Sequence, residues 1–205
     1  MKRGMMTAMA VVILMMSLVG CGKKTQHDIY KEIYKRYTDI RSFYSEVEIT
    51  VKNEKMSSVY SARQFYEAPD RFALVIDSPE EVAGSGYTVK DGKFLLKSGL
   101  GSKESVDIAF PDEKNTVFLC DFLEEYYKSE ETFLETSGGF SGSKTTLTCY
   151  ISGGSEKRFM QSLEIDNDTY LPIKLTTYDI EKNPVVEVIF GEFKRNSDID
   201  ERIFN

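Results

Sequence analysis

Apolar and polar residues alternate along most of this chain from Phe43 onward, with the period of two that sends side chains to opposite faces of a β-strand. In "EVEITV" (46–51) every second residue is apolar, which is typical of a strand with one face in water. Turn-forming runs such as "SGGFSGS" and "SGGS" separate several such segments. The series predicts one antiparallel sheet without an internal domain boundary, built from "MSSVYSARQFYEA", "RFALVID", "TFLET", "TTLTCYI", "RFMQSLEI", "LPIKLTTYDI" and "PVVEVIFGEF".

A hairpin is predicted within "GYTVKDGKFLLK" (86–97). Asp91 and Gly92 stand between two alternating segments. Asp-Gly is a favoured pair for the type I′ turn that joins neighbouring antiparallel strands.

Two stretches replace this alternation with helical spacing. Ile29, Ile33 and Tyr37 recur every four residues. Thr25 or Asp28 can cap the start of this first helix.

The second helical stretch is "TVFLCDFLEEYYKSEE" (116–131), in which Phe118, Phe122 and Tyr126 share one side. With these two helices and the strand series, the predicted fold class is α+β, a single open antiparallel sheet.

The stretch "MMSLVGCGKK" (15–24) closes an apolar run that begins at Met5. The run holds 16 residues, fewer than the roughly 20 that a membrane-spanning helix needs. A plain secretory signal would be cut after an A-x-A-like pattern, which this stretch lacks. Leu18-Val19-Gly20-Cys21 instead resembles a bacterial lipobox. The resemblance implies cleavage after Gly20 and lipidation of Cys21.

The expected organisation is therefore a lipoprotein signal peptide at 1–20, a lipidated leader at 21–27 and one domain at 28–205. Two acyl chains anchor a protein stably, whereas one holds it only marginally. The expected location is the extracytoplasmic face of a membrane.

The chain carries 26 Lys and Arg against 33 Asp and Glu, a formal net charge of −7. Loss of residues 1–20 removes two basic residues and leaves 24 against 33, a charge of −9. Such a surface argues against binding to nucleic acid and against electrostatic adhesion to an anionic membrane.

Cys120 and Cys149 remain after Cys21 is lipidated, and two interpretations stay open for them. Outside the cytoplasm they can form a disulfide. Alternatively they are buried free thiols, since Cys149 alternates in phase with the apolar residues of "TLTCYI".

His27 is the only histidine, and it lies in the predicted leader. A zinc site, a serine triad and a papain-like dyad would all lack their imidazole inside the domain. Glu124-Glu125 and Glu130-Glu131 are adjacent pairs whose side chains point apart, so they are interpreted as solvated faces. We predict no catalytic residue, no metal ligand and no cofactor.

Two further motifs fail as ligand sites. "GGFSGSKT" (138–145) has the spacing of a phosphate-binding loop, but Ser143 replaces its second glycine and a β-pattern follows. "DNDTYL" (166–171) begins like a calcium loop, yet Tyr170 and Leu171 stand where an acceptor and a glycine are needed. A hairpin loop and a tight turn explain them.

Several motifs together resemble the lipoprotein-carrier, or LolA-like, family. They are "FYEAPDRFALVI" with "VKDGKFLLK" early in the chain, then "LEIDNDTYLPIKLTTYD" and "VIFGEFKRNSDIDERIF" near its end. The resemblance covers about residues 43–204. It implies an open half-barrel of antiparallel strands whose concave face is covered by helices.

Two departures from that family matter. Its carriers shuttle through the periplasm and are not lipidated, whereas Cys21 would stop this chain from shuttling. Ala73 occupies a position where many Gram-positive relatives have Arg.

Among lipidated relatives, the motifs are most similar to the germination lipoproteins of the GerS type in clostridia. That resemblance implies a non-enzymatic spore protein that binds and activates a zinc-dependent N-acetylmuramoyl-L-alanine amidase of the CwlD type. The amidase would modify the cortex for germination. Two alternatives stay open: a lipid or lipoprotein binder with an acyl pocket, and an envelope-stress sensor, which would need a second domain.

A homodimer is also expected, since an open sheet leaves edge strands with unpaired backbone groups. The long segments "MSSVYSARQFYEA" and "PVVEVIFGEF" are the predicted edges.

Overall fold

The computed structural model describes residues 25–53, 55–90, 93–97, 117–139 and 142–204. The chain divides into two compact units, one ending at Tyr34 and the other beginning at Lys35.

The described residues form two α-helices and ten β-strands. The helices are α1 (Gln26–Thr38) and α2 (Leu119–Lys128). The strands are β1 (Ser42–Lys52), β2 (Ser57–Glu67), β3 (Arg71–Ser78), β4 (Gly86–Lys90), β5 (Lys93–Lys97), β6 (Thr132–Gly139), β7 (Gly142–Ser155), β8 (Arg158–Asp166), β9 (Pro172–Tyr178) and β10 (Pro184–Arg195). Short 3-10 helices cover Glu80–Val82 and Glu201–Phe204.

In the first unit, Thr25 caps the start of α1, as one of the two predicted caps. Its hydroxyl oxygen accepts a hydrogen bond from the Asp28 backbone N–H at 3.2 Å. The Asp28 carboxylate accepts in return from the Thr25 N–H at 3.1 Å. This reciprocal pair is a capping box, and it starts the helix two residues before Asp28. Ile29 and Ile33 are buried, which confirms the predicted four-residue spacing.

In the second unit the strands form one sheet in the order β5-β4-β3-β2-β1-β10-β9-β8-β7-β6, with antiparallel pairing throughout. Every neighbouring pair is consecutive in the chain except β1 and β10, which join the two halves. In the described sheet β5 and β6 are the outer strands, so the sheet is open. The predicted α+β fold with an open antiparallel sheet is confirmed.

The predicted edge strands are wrong. "MSSVYSARQFYEA" forms β2, which lies between β1 and β3, and "PVVEVIFGEF" forms β10, which lies between β1 and β9. The pairing of β1 with β10 joins residues from opposite ends of the chain, and alternation within a strand carries no information about such a pairing.

A row of apolar side chains crosses five strands and forms the centre of the core. The register aligns Ile49 with Val188, Val188 with Leu175, Leu175 with Leu163, and Leu163 with Leu147. All five side chains are fully buried. Directly opposed pairs of this kind stabilise a sheet through contact across the strands.

The start of α2 packs on the same face of the sheet. The Phe118 ring lies 5.3 Å from that of Phe72 and 5.4 Å from that of Tyr87, between centroids. The buried Gln64 side-chain amide donates to the Val117 carbonyl at 2.8 Å. These contacts fix where the helix begins.

The predicted second helix is confirmed, although α2 is shorter than the predicted stretch 116–131. Phe118, Phe122 and Tyr126 are all buried, as their spacing predicted. Ser129 leaves the helical conformation with ψ of 135°, so the chain turns before β6.

The hairpin of β4 and β5 has the predicted register, since Lys90 pairs with Lys93. Its turn, Asp91-Gly92, lies outside the described residues. The predicted turn at "SGGS" (152–155) is wrong, because these residues end β7 and the chain reverses after Ser155, which pairs with Arg158. Gly153, at φ 67°, instead lies where the β7–β8 register shifts.

The C-terminal segment packs on the opposite face of the sheet. Phe204, Phe65 and Ala73 form one buried cluster, with Ile199 and Ile203 packed against it. Since Phe65 follows Gln64 along β2, its side chain points away from the face that α2 covers. The closing motif noted in the sequence therefore covers this second face.

Candidate functional site

A broad groove runs along α2 and is the candidate functional site. Its volume is about 890 Å³. Carboxylates dominate the lining, with Asp121, Glu124 and Glu125 from α2 and Glu130 and Glu131 from the connection to β6. Lys128, Ser129 and residues 150–152 of β7 complete it. We call this surface the acidic groove.

The groove forms where β6 begins, because β7 continues past that point. Thr132, the first residue of β6, pairs with Cys149, so β7 extends past its partner. The Glu125 carboxylate reaches this exposed part of β7 and accepts a hydrogen bond from the Ser152 N–H at 2.6 Å. Glu124 forms an ion pair with Lys128 one helical turn later.

Three of the four glutamates, Glu124, Glu130 and Glu131, are exposed, as their interpretation as solvated predicted, and Glu125 is half-buried. All four carboxylates line a single groove, because α2 ends at Lys128 and the chain turns between the pairs. Spacing within a helix could not reveal this arrangement, which depends on where the helix ends.

The two cysteines near the groove are free thiols in the structure. Burial raises the pKa of the Cys149 thiol to about 12, with a smaller contribution from Glu125. Burial also raises the pKa of the Cys120 thiol well above its ordinary value. Both thiols stay protonated near neutral pH, and only the thiolate is a nucleophile.

A row of three aromatic rings adjoins the groove. The ring of Tyr150, which lines the groove, lies 6.2 Å from that of Phe133 and 5.1 Å from that of Phe159, each in an edge-to-face arrangement. Phe133 is half exposed. We call these residues the aromatic row. Aromatic residues are enriched at protein interfaces, where a few residues carry most of the binding energy.

A second, smaller cavity has the opposite charge. It measures about 240 Å³, and its lining includes Arg36 and Arg195 together with Tyr37, Tyr170 and Phe193. The Arg195 guanidinium donates to the Arg36 carbonyl at 3.2 Å. The Arg36 guanidinium carbon lies 4.6 Å from the centroid of the Tyr170 ring, a cation–π contact. We call it the arginine cavity.

Tyr170 reaches this cavity through a strained backbone. Its φ is 59°, a left-handed conformation that bulky residues rarely adopt and that costs of order 1–3 kcal/mol. The Tyr170 N–H donates to the Asp166 carbonyl at 2.8 Å, and the Tyr37 hydroxyl donates to the Tyr170 carbonyl at 3.2 Å. Burial raises the pKa of Tyr37 well above its ordinary value, so this donor stays protonated.

The motifs dismissed as ligand sites are turns, as predicted. In "DNDTYL" the Asp166 carboxylate accepts from the N–H groups of Asp168 at 3.1 Å and Thr169 at 2.7 Å. In "GGFSGSKT" Gly138 pairs with Ser143 across the β6–β7 hairpin. Residues 140–141 of that loop lie outside the described part.

His27 is exposed on α1. Within the described ranges, no group of three or more His, Cys, Asp or Glu side chains could hold a metal ion. No helix in the same ranges is long and apolar enough to cross a membrane. The lipobox and Cys21 lie outside the described residues, so lipidation stays a prediction.

Residues 1–204 match the family of YdcC-like sporulation proteins. The sporulation protein YdcC of Bacillus subtilis (strain 168) is 19% identical over 202 residues, which are 98% of this chain and 58% of that protein. The chain thus spans less than two thirds of its relative's length.

Solved structures with a similar fold include an uncharacterized conserved protein from Thermus thermophilus, at 12% identity and a TM-score of 0.52, covering 86% of this chain and 93% of that one. A LolA superfamily protein from Nitrosomonas europaea has 12% identity and a TM-score of 0.45, covering 85% of this chain and 96% of that one. A chain of the CwlD amidase–GerS lipoprotein complex from Clostridioides difficile has 21% identity and a TM-score of 0.39, covering 87% of this chain and 97% of that one.

The open antiparallel sheet with its two helices, which the sequence motifs implied, is similar in fold to the Thermus thermophilus protein. The family match extends over the strands, both helices and the C-terminal segment that covers the second face. The chain belongs to the family of YdcC-like sporulation proteins.

Proposed function

We propose that this chain is a lipid-anchored, non-enzymatic binding protein of sporulation that binds and activates a cell-wall amidase at the extracytoplasmic face of a membrane. Its membership in a sporulation family supports the cellular setting. The observation that carries the binding role is the acidic groove with the aromatic row beside it.

The charge of the groove favours a basic partner surface. Among the described residues, five carboxylates and one lysine line it. Fields of one sign in a cleft steer an oppositely charged protein toward it and raise the association rate. The partner surface at the groove should therefore carry Lys or Arg.

The aromatic row supplies the apolar part of the same interface. A partner that covers Phe133 would remove a half-exposed ring from water. The Tyr150 ring packs edge-to-face on Phe133 and on Phe159. Burial of apolar surface contributes about 25 cal/mol per Å², and a few aromatic residues usually dominate binding energy.

Activation fits a protein that offers a surface and no reactive group of its own. A zinc amidase brings its own metal-bound water, which is the nucleophile in enzymes of this kind. A binder that recognises only the competent state stabilises it by about 2.7 kcal/mol at 100 times its dissociation constant. The proposed effect is therefore to stabilise a formed, zinc-loaded amidase site.

The alternative role, binding an acyl chain, requires an unfilled apolar cavity. The rings of Phe118, Phe72 and Tyr87 fill the space where α2 meets the sheet. The described core thus offers no observation that favours this alternative.

A pair of matched variants tests the proposed interface. Glu130→Gln with Glu131→Gln removes two charges from the groove and leaves the Glu125–Ser152 hydrogen bond in place. Glu80→Gln with Glu81→Gln removes the same number from an exposed 3-10 helix that does not line the groove.

We expect the first variant to weaken binding of the purified amidase at least fivefold at low salt, and the second to leave it unchanged. Added salt should reduce the difference in affinity between the two variants, because exposed charges are screened. Equal affinities of the two variants would reject the acidic groove as the interface. Absence of any binding by the unmodified chain would reject the amidase partner itself.

A further inference from the structure

We propose that the arginine cavity binds one oxyanion group, a phosphate or a carboxylate, carried on a small apolar body. This inference concerns a different surface from the acidic groove. Binding at the arginine cavity requires no amidase, so its test is independent of the test of the proposed function.

The cavity is positively charged. In a chain with a net charge of −7, two guanidinium groups line this cavity, and its described lining contains no carboxylate. Guanidinium groups match carboxylate and phosphate oxygens with paired N–H donors. Arg36 and Arg195 thus provide a local preference for an anion.

The shape of the cavity limits what accompanies the anion. Ile40, Leu171 and Phe193 line it beside the two arginines. Its volume of about 240 Å³ is below the roughly 300–1,000 Å³ of pockets for drug-sized ligands. The ligand is therefore small, with an aromatic or short aliphatic part against these side chains.

The cavity is also held in shape before any ligand binds. Tyr170 keeps its left-handed backbone through bonds from its N–H to Asp166 and from the Tyr37 hydroxyl to its carbonyl. The Tyr170 ring in turn supports the Arg36 guanidinium. Strained backbone of this kind occurs preferentially at ligand-binding positions, where the surroundings enforce it.

The experiment measures calorimetric binding of phenyl phosphate, inorganic phosphate and dihexanoyl phosphatidic acid to the full chain in a non-ionic detergent. We expect phenyl phosphate to bind at least tenfold more tightly than inorganic phosphate. Arg36→Gln should weaken the binding of phenyl phosphate at least tenfold. Arg36→Lys loses the paired N–H donors but keeps the positive charge, so it should weaken this binding less. Tighter binding of phosphatidic acid than of phenyl phosphate would identify a lipid headgroup as the source of the anion. Tighter binding of phenyl phosphate would identify a small soluble ligand as the source.

The control is Arg202→Gln, which removes an exposed arginine paired with Asp200 and not lining the cavity. It should leave binding unchanged. Unaltered affinity in Arg36→Gln, or an equal loss in Arg202→Gln, would overturn the proposal. Circular dichroism and thermal unfolding confirm that each variant is folded, and Arg195→Gln provides a second test of the cavity.

Discussion

Phe204, next to last in the chain, packs in one buried cluster with Ala73, in the middle of β3. Both side chains are 1% exposed. The methyl group of Ala73 occupies little space, and the Phe204 side chain packs in the same cluster. The small side chain at position 73 thus accompanies closure of this face by the C-terminal segment.

This contact predicts a large loss of stability in Phe204→Ala. Removing a fully buried phenylalanine leaves a cavity and costs about 3–5 kcal/mol in free energy of unfolding. We expect about 3 kcal/mol, at the low end of that range, since the segment can partly collapse onto Phe65. Urea unfolding at pH 7 measures it. Ile180→Ala, at a side chain that is 53% exposed, is the control and should change stability by less than about 0.5 kcal/mol. Equal effects of the two substitutions would show that the segment does not pack as described.

The Asp166 turn predicts a pH-dependent stability. Hydrogen bonds from the backbone and hydroxyl of Thr169 hold the pKa of this carboxyl below its ordinary value. The ionised Asp166 carboxylate therefore contributes fully to the free energy of unfolding above the pKa of about 3.9 in the unfolded chain. This contribution is lost as the pH falls through the lower pKa of the folded chain. We expect Asp166→Asn to be less stable than the unmodified chain at pH 7, and the difference to shrink below about pH 4. A difference that is constant between pH 7 and pH 3 would contradict this account of the turn.

Buried thiols predict slow labelling of the folded chain. Because burial raises the pKa of Cys149 to about 12 and also raises that of Cys120, little thiolate exists at pH 8. We expect iodoacetamide to modify both residues readily in urea and at least a hundredfold more slowly in the native protein, as followed by mass spectrometry. Failure to label in urea without a reductant would instead indicate the disulfide that the sequence left open.

The lipobox predicts that Cys21 carries the anchor. Cells supplied with a fatty-acid analogue should label the chain through Cys21, and Cys21→Ala should abolish the label. The variant should also leave the membrane fraction or keep its uncleaved signal peptide. Equal labelling of both proteins would reject lipidation at this residue.

The sequence predicted those parts of the fold that depend on neighbours in the chain. The phase of burial along β1, the helical face of Phe122 and Tyr126, and the register of the β4–β5 hairpin all follow from local periodicity and turn chemistry. The order of the strands did not follow, because the pairing of Ile49 with Val188 brings together residues far apart in the chain.

The two surfaces that carry the proposals were harder to predict for the same reason. The acidic groove requires α2 to end at Lys128 and β7 to extend past Thr132. The arginine cavity joins Arg36 with Arg195, and no spacing rule connects them. The one local signal was "DNDTYL", whose turn places Tyr170 in its unusual conformation.

Zinc occupancy and hydrolysis by the amidase, measured with and without this chain, test the central claim most directly. We predict that the purified amidase alone has low zinc occupancy and almost no activity on peptidoglycan. A saturating amount of this chain should raise both together, while the chain alone cleaves nothing. Unchanged zinc occupancy and unchanged hydrolysis in the presence of the chain would contradict its role as an activator.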